Sequence, residues 1–157
     1  MSLYTMGAIT PAAFNKTMHT NVLLPYLLTQ SVLPSIRPGG SIINISSRAS
    51  RSCYGGPTTL YAASKAALEH LTRNIAAEVA AEKKVTVNAV MPGGTETDAV
   101  AAAPSALIER VREAATAEKR LGRPEEIADV VCFLAGGGGA RWINGDTIAA
   151  CGGAMMI

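Results

Sequence analysis

Apolar and polar positions change period several times along the chain, and each change marks an element. Thr10-Pro11 has the form of an N-cap followed by a first-turn proline, and the stretch that follows predicts a helix over about 10–33. Pro25 stands inside it. A proline there removes the bond to the Asn21 carbonyl and costs about 3 kcal/mol, so the helix is expected to be disturbed at that point. Pro38-Gly39-Gly40 forms a turn, and the β-branched run SIINIS over 41–46 predicts a strand. A polar loop with glycines spans 48–57. Over about 60–82 the period becomes helical, with Ala63, Ala67, Leu71, Ile75 and Val79 placed on one face. VTVNAV over 85–90 predicts a second strand, closed by Pro92-Gly93-Gly94. A small-residue stretch over 99–103 precedes a helix over about 104–119. Pro124 opens another helix, with Glu125 and Glu126 in its first turn, where the helix dipole favours acids. A third strand over 146–150 ends at Gly152-Gly153.

Strands that alternate with helices predict a single α/β domain over 1–157, a parallel sheet with right-handed crossovers. The two longer strands are apolar almost throughout, as expected of strands covered on both faces. Three strands make a narrow sheet. With 157 residues, 48% hydrophobic and 17% charged, the chain is long and apolar enough to bury a core. Aromatic residues are only 4%, so that core is built from Ala, Val, Ile and Leu. The net charge is +2 with both signs interspersed, which leaves no basic stripe for nucleic acid. No apolar run approaches the roughly 18 residues of a membrane span. The start lacks the pattern of a secretion signal, and Cys53, Cys132 and Cys151 match no zinc or redox spacing, so reduced thiols of a cytoplasmic protein without a metal site are expected.

Tyr61 and Lys65 stand at i and i+4 near the start of the third predicted helix and share one face. A tyrosine alone is a poor acid–base group at neutral pH, because its ordinary pKa is about 10. An ammonium one turn away favours the phenolate, so the pair suits proton transfer to a carbonyl or from a hydroxyl. Ser46 and Ser47 end the preceding strand, where a doubly wound sheet places its ligand, and a serine hydroxyl there can donate to a substrate oxygen.

The segments GSIINISS, YAASKAALEHLTR, VTVNAVMPGGTET, RLGRPEEIADVVCFLA and INGDTIAACGG, in that order, resemble the short-chain dehydrogenase/reductase family. The resemblance covers most of the chain, from about Gly7 to Gly153, and implies part of a doubly wound, Rossmann-like sheet flanked by helices. It implies that Ser47 hydrogen-bonds the substrate carbonyl, that Tyr61 is the general acid/base, and that Lys65 tunes Tyr61 and binds the nicotinamide ribose. It further implies that Asn21 holds a water in the proton relay, and that Pro92, Gly93, Thr95 and Thr97 contact the nicotinamide end of the cofactor. Tyr61 follows Ser47 by 14 positions, one more than is usual in the family, which leaves Ser46 as an alternative donor.

The family's opening strand and glycine-rich turn, which receive the pyrophosphate of NAD(P) at a helix N-terminus, have no counterpart here. The glycine run over 136–139 follows a helix and lacks the G-x-G-x-x-G spacing. The chain therefore reads as a truncated member. Three functions are expected in descending order. The first is cofactor-free acid–base chemistry on a carbonyl or enol, such as the isomerisation, dehydration or cyclisation of secondary metabolism. The second is NAD(P)H-dependent reduction with the nucleotide half supplied in trans. The third is a non-catalytic interaction module. For the chain alone no bound NAD(P) is expected. An open strand edge over 41–46 predicts a homo-oligomer that covers it.

Overall fold

The computed structural model describes residues 6–53, 56–136 and 138–156. Helix α1 (Pro11–Met18) begins as predicted, with the Thr10 hydroxyl accepting from the Ala13 N–H at 3.2 Å and Pro11 in the first turn. It continues through a π-helical turn, His19–Leu23, into α2 (Leu24–Val32). The wide turn lies just before Pro25, and the Leu24 N–H reaches back to the His19 carbonyl. The disturbance predicted at the proline thus takes the form of one widened turn in an otherwise continuous rod, a recurrent way to absorb a helix residue that cannot hold the α ladder.

Strands β1 (Ser41–Ile45), β2 (Thr86–Pro92) and β3 (Thr147–Ala150) form one parallel sheet in the order β1-β2-β3. Ser41 lies opposite Thr86 and Ile45 opposite Val90, while Ala89 faces Thr147 and Pro92 faces Ala150. Helix α3 (Thr59–Lys83) covers one face and α6 (Pro124–Ala135) the other. The core divides accordingly. Ile75, Ala76 and Val79 of α3 pack with Val85 and Val87, and Leu134 of α6 packs with Val90 and Ala140. Val87 and Val90 are fully buried, each worth about 1.5–3 kcal/mol of apolar burial. Between β2 and α6 lie the short α4 (Asp98–Ala101) and α5 (Ser105–Ala114).

Two expectations are corrected. Of the stripe predicted for α3, Ala63 is exposed, Ala67 and Leu71 are half-buried, and only Ile75 and Val79 are buried. An α-helix turns 3.6 residues per cycle, so positions spaced strictly by four drift around it by about 40° a step. The buried face runs instead through Leu60, Ser64, Leu68, Thr72, Ile75 and Val79 and includes Glu69. The other correction concerns α5, which stops at Ala114 rather than near 119. There the chain bends to bond the C-terminal segment: the Ala117 N–H reaches the Gly152 carbonyl at 3.1 Å and the Thr116 hydroxyl the Gly153 carbonyl at 3.2 Å. Tertiary bonding overrides a favourable helical sequence. Of the predicted loop over 48–57 and the glycine run over 136–139, residues 54, 55 and 137 lie outside the described residues.

Candidate active site

The carboxyl ends of β1 and β2 and the first turns of α3 meet at one end of the sheet, the usual place for a ligand in a parallel α/β fold. Tyr61 occupies the first turn of α3 and is half-buried. Lys65 lies one turn on, its Nζ 5.8 Å from the centre of the Tyr61 ring. The same ammonium donates to the Ile45 carbonyl at 2.8 Å, at the last residue of β1. Burial pushes the Lys65 ammonium below its ordinary value. A positive charge is thus held between the tyrosine ring and the end of the strand by a backbone carbonyl.

Ser47 caps a single 3-10 turn, Arg48–Arg51, its hydroxyl accepting from the Ala49 N–H at 3.2 Å. That turn packs on α3. The adjacent Ser46 is different. It is 3% exposed and its hydroxyl donates to Glu69 Oε1 at 2.6 Å. The strand continues in extended form through this point, with Ser47 at φ −162°, and successive side chains of extended backbone point to opposite sides. Ser46 is therefore committed to the interior, and Ser47 is the half-buried one of the two.

Asn21 sits in the π-helical turn, and its side-chain amide donates to the Ser64 hydroxyl at 2.9 Å. Ser64, fully buried, donates in turn to the Tyr61 carbonyl at 2.7 Å. Asn21 is thereby joined to the turn of α3 that carries both Tyr61 and Lys65. It also lines, with Pro25, Leu28, Ile42, Ile45 and Lys65, a groove of about 520 Å³ between α2 and the outer edge of β1.

Pro92 ends β2, and the Gly93 N–H donates to the Ala150 carbonyl at 3.0 Å. The Thr95 hydroxyl turns back to the Gly93 carbonyl at 3.3 Å and the Thr97 hydroxyl to the Thr95 carbonyl at 3.4 Å. The loop is held from outside by a parallel bridge between Thr95 and Gly122, with the Gly122 N–H on the Gly94 carbonyl and the Glu96 N–H on the Gly122 carbonyl. Gly122 is steadied in turn by Glu126, whose carboxylate accepts from both Arg120 terminal nitrogens at 2.8 and 2.7 Å and from the Arg123 N–H at 2.7 Å. These bonds, that from Arg120 foremost, hold the Glu126 carboxyl down at about 2.

The set comprises a phenol, an ammonium, a hydroxyl and a loop of Pro92, Gly93, Thr95 and Thr97, at the ends of two strands. Hydroxyls and an ammonium so placed fit the ribose and carboxamide of a nicotinamide. Among the described residues no strand–turn–helix with spaced glycines stands ready for a pyrophosphate, so the fit extends to one end of the dinucleotide. No group of three or more His, Cys, Asp or Glu side chains that could hold a metal ion is found among the described residues, and no helix among them is long and apolar enough to cross a membrane. Glu69, Ser50 and Arg51, bonded to one another beside Ser46 and Ser47, were not legible from the sequence. The available signal was the spacing of Tyr61, Lys65 and Glu69 at i, i+4 and i+8, which turns Glu69 about 80° round α3 from Tyr61, towards the buried face.

A family model described as enoyl-(acyl carrier protein) reductase matches residues 4–155. The short chain dehydrogenase asqE of Emericella nidulans is 41% identical over 150 residues, covering 92% of this chain and 55% of that protein. The short-chain dehydrogenase/reductase FrzI of Cladobotryum is 38% identical over 156 residues, covering 95% of this chain and 59% of its own. The crystal structure of the angucycline C-6 ketoreductase LanV with bound NADP superposes with a TM-score of 0.88 at 32% identity, covering 98% of this chain and 58% of that one. The chain spans little more than half the length of these relatives. Matched across nearly all of its own length in sequence and in fold, with a Tyr-x-x-x-Lys pair at the ends of its parallel strands, the chain belongs to the short-chain dehydrogenase/reductase family.

Proposed function

We propose that this chain carries the acid–base half of an NADP(H)-dependent carbonyl reductase, or alcohol dehydrogenase, with Tyr61 as the proton donor. The observation that carries the reading is the placement of Lys65, with its ammonium bonded to the Ile45 carbonyl and 5.8 Å from the Tyr61 ring. Ser47 offers a hydroxyl to the substrate oxygen, Tyr61 gives that oxygen its proton, and Lys65 supplies the positive charge beside the ring. A bound nicotinamide supplies the hydride. Lys65 together with the loop from Pro92 to Thr97 would hold its ribose and carboxamide end, and the adenosine and pyrophosphate would be held by a partner chain or by a longer form of the protein. Relatives named as dehydrogenases and reductases, and the ketoreductase structure that contains NADP, support this reading.

A second reading, cofactor-free enolisation, dehydration or cyclisation of a carbonyl compound, draws on one observation. The groove between α2 and β1 is lined mainly by apolar side chains and includes Lys65 in its lining, so a sizeable apolar substrate could lie against the acid–base groups. Titration of the purified protein with NADPH and with NADH, followed by nicotinamide fluorescence, separates the two. Saturable binding in the micromolar range that weakens in Lys65→Met supports the reductase. Failure to bind at millimolar cofactor moves the second reading to the front. In either chemistry Tyr61→Phe should lower kcat by about 10²–10⁴-fold, the usual worth of a positioned general acid, with the fold intact by circular dichroism.

A further inference from the structure

Glu69 is 3% exposed and no step above uses it. Its carboxylate collects three donors, all from the short segment that surrounds Ser47. Ser46 Oγ lies 2.6 Å from Oε1, Ser50 Oγ bonds the same oxygen, and Arg51 Nε lies 3.1 Å from Oε2. The Ser50 hydroxyl also lies 2.7 Å from the Ser47 carbonyl, and the Ser50 N–H donates to that carbonyl at 2.9 Å. A hydroxyl has one proton, so Ser50 serves either the carboxylate or the Ser47 carbonyl at a given moment. In both cases it lies between Glu69 and the backbone of Ser47.

We propose that Glu69 is a positioning residue, a buried carboxylate on the helix of Tyr61 and Lys65 that fastens the segment on both sides of Ser47 and so fixes the Ser47 hydroxyl relative to the Tyr61 phenol. The inference rests on the acid–base reading of Ser47 and Tyr61. Its physical basis is that Ser47 itself makes no side-chain bond to α3 among the described residues, its hydroxyl being used to cap the turn at Ala49. The link between strand end and helix therefore falls to its neighbours. A carboxylate taken out of water must be matched by donors, and all three of the donors named here come from residues 46–51. Two hydrogen-bond acceptors on one rigid helix thus define where that segment sits. Misplacement of a catalytic group by about 1 Å can cost 10²-fold in rate, which gives such a link catalytic consequence without contact to substrate.

Two measurements on Glu69→Gln test the proposal. In amide hydrogen exchange on the protein without substrate, the Ala49 and Ser50 amides should exchange about tenfold faster, as expected when a segment loses its tether. The amides of Val87 and Ala89 in β2 should keep their protection. Unchanged exchange at Ala49 and Ser50 overturns the proposal whether or not any substrate is ever turned over. In NADPH-dependent reduction of a ketone whose turnover requires Tyr61, Glu69→Gln should lower kcat by about 10- to 100-fold, the cost of a misplaced donor, while the KM for NADPH stays unchanged. Glu69→Asp, which keeps the charge one methylene short, should recover part of the loss. An unchanged kcat, or an equal loss in kcat and in NADPH binding, overturns it. Should Glu69→Gln fail to fold, Ser50→Ala removes one link and leaves the carboxylate bonded to Ser46 and Arg51, and the same two readouts apply. A Tyr61→Phe variant with full turnover defeats the acid–base reading instead, and hydrogen exchange alone then decides the structural role of Glu69.

Discussion

Lys65 is pulled two ways by its surroundings. Burial disfavours its charged form and pushes its pKa down from the ordinary 10.5, while the Ile45 carbonyl gives the ammonium an acceptor at 2.8 Å. The folded state binds this proton less tightly than the unfolded chain. Stability therefore rises with pH between the lowered folded value and 10.5, because the unfolded state then carries the extra proton. Lys65→Met lacks that contribution. The stability of the variant minus that of the wild type, from urea unfolding of both, should fall as pH rises from the lowered folded value towards 10.5, since titrations elsewhere cancel in the difference. A difference that does not vary with pH would mean that the ammonium is not desolvated. Residue spacing made this lysine legible, because Tyr61 and Lys65 announce themselves at i, i+4. It could not separate Ser46 from Ser47, which have the same side chain in adjacent positions. Their difference comes from Glu69, a residue 23 positions after Ser46, whose burial contradicts what a glutamate in a helix normally signals.

Among the elements, the turn after β2 shows how one segment can serve a ligand and the fold at once. Gly93 and Gly94 read from sequence as turn residues and, by family resemblance, Gly93 as a cofactor contact. The structure adds a packing demand on both. A Cβ on Gly93 would lie 2.9 Å from Cys151 Cα and 3.0 Å from its carbonyl oxygen, so it would meet backbone at the end of β3. A Cβ on Gly94 would lie 2.0 Å from Val111 Cγ1, on the outer helix α5. The first obstacle is main chain just past the end of β3, which yields less readily than a side chain, whereas the second can move with α5, although valine itself is stiff at χ1. Gly93→Ala should therefore destabilise the protein by about 1–3 kcal/mol, the range for overpacking, visible as a lower Tm. Gly94→Ala should chiefly loosen α5, with faster proteolysis in residues 98–114 and a smaller change in Tm. Equal effects on Tm would show that α5 is as firmly built in as β3. The strands and most helices were legible because their periods are clean and their ends carry Pro, Gly or Thr. The exceptions are instructive. The core face of α3 carries Ser64, Glu69 and Thr72, polar residues that a hydrophobic stripe passes over, and α5 stops early for bonds to a segment 37 residues away.

At the scale of the molecule, the outer side of β1 is the feature that bears most on the proposed function. With the sheet in the order β1-β2-β3, β1 has a paired neighbour on one side only among the described residues. Both of its faces are nevertheless packed: Ile42 lies with the α3 cluster, Ile43 with the α6 cluster, and the Ser41 hydroxyl donates to the Leu134 carbonyl. Beside the open edge stands α2, with Leu24, Leu27, Leu28 and Val32 all between 43% and 56% exposed. An unpaired, apolar strand edge next to an apolar helix is the arrangement that soluble proteins cover with another chain or element. The same edge ends at Lys65 through the Ile45 carbonyl, so whatever pairs with β1 comes to lie beside the acid–base groups. Coverage of the edge and completion of the site would then be one event. The expected result is that the purified chain sediments as a species larger than a monomer, or is recovered with a second chain. Leu28→Lys, at a groove position 56% exposed, should weaken that association, because a charge at an apolar contact must be desolvated without a partner. It should leave the circular dichroism spectrum unchanged, because Leu28 is not part of either core cluster. NADPH binding, where it is found, should fall in the same variant in proportion to the loss of association. A wild-type chain that remains monomeric and well dispersed would refute the coverage of β1. A dimer indifferent to Leu28→Lys would place the contact elsewhere on the surface, and the groove beside Lys65 would then be free for a substrate.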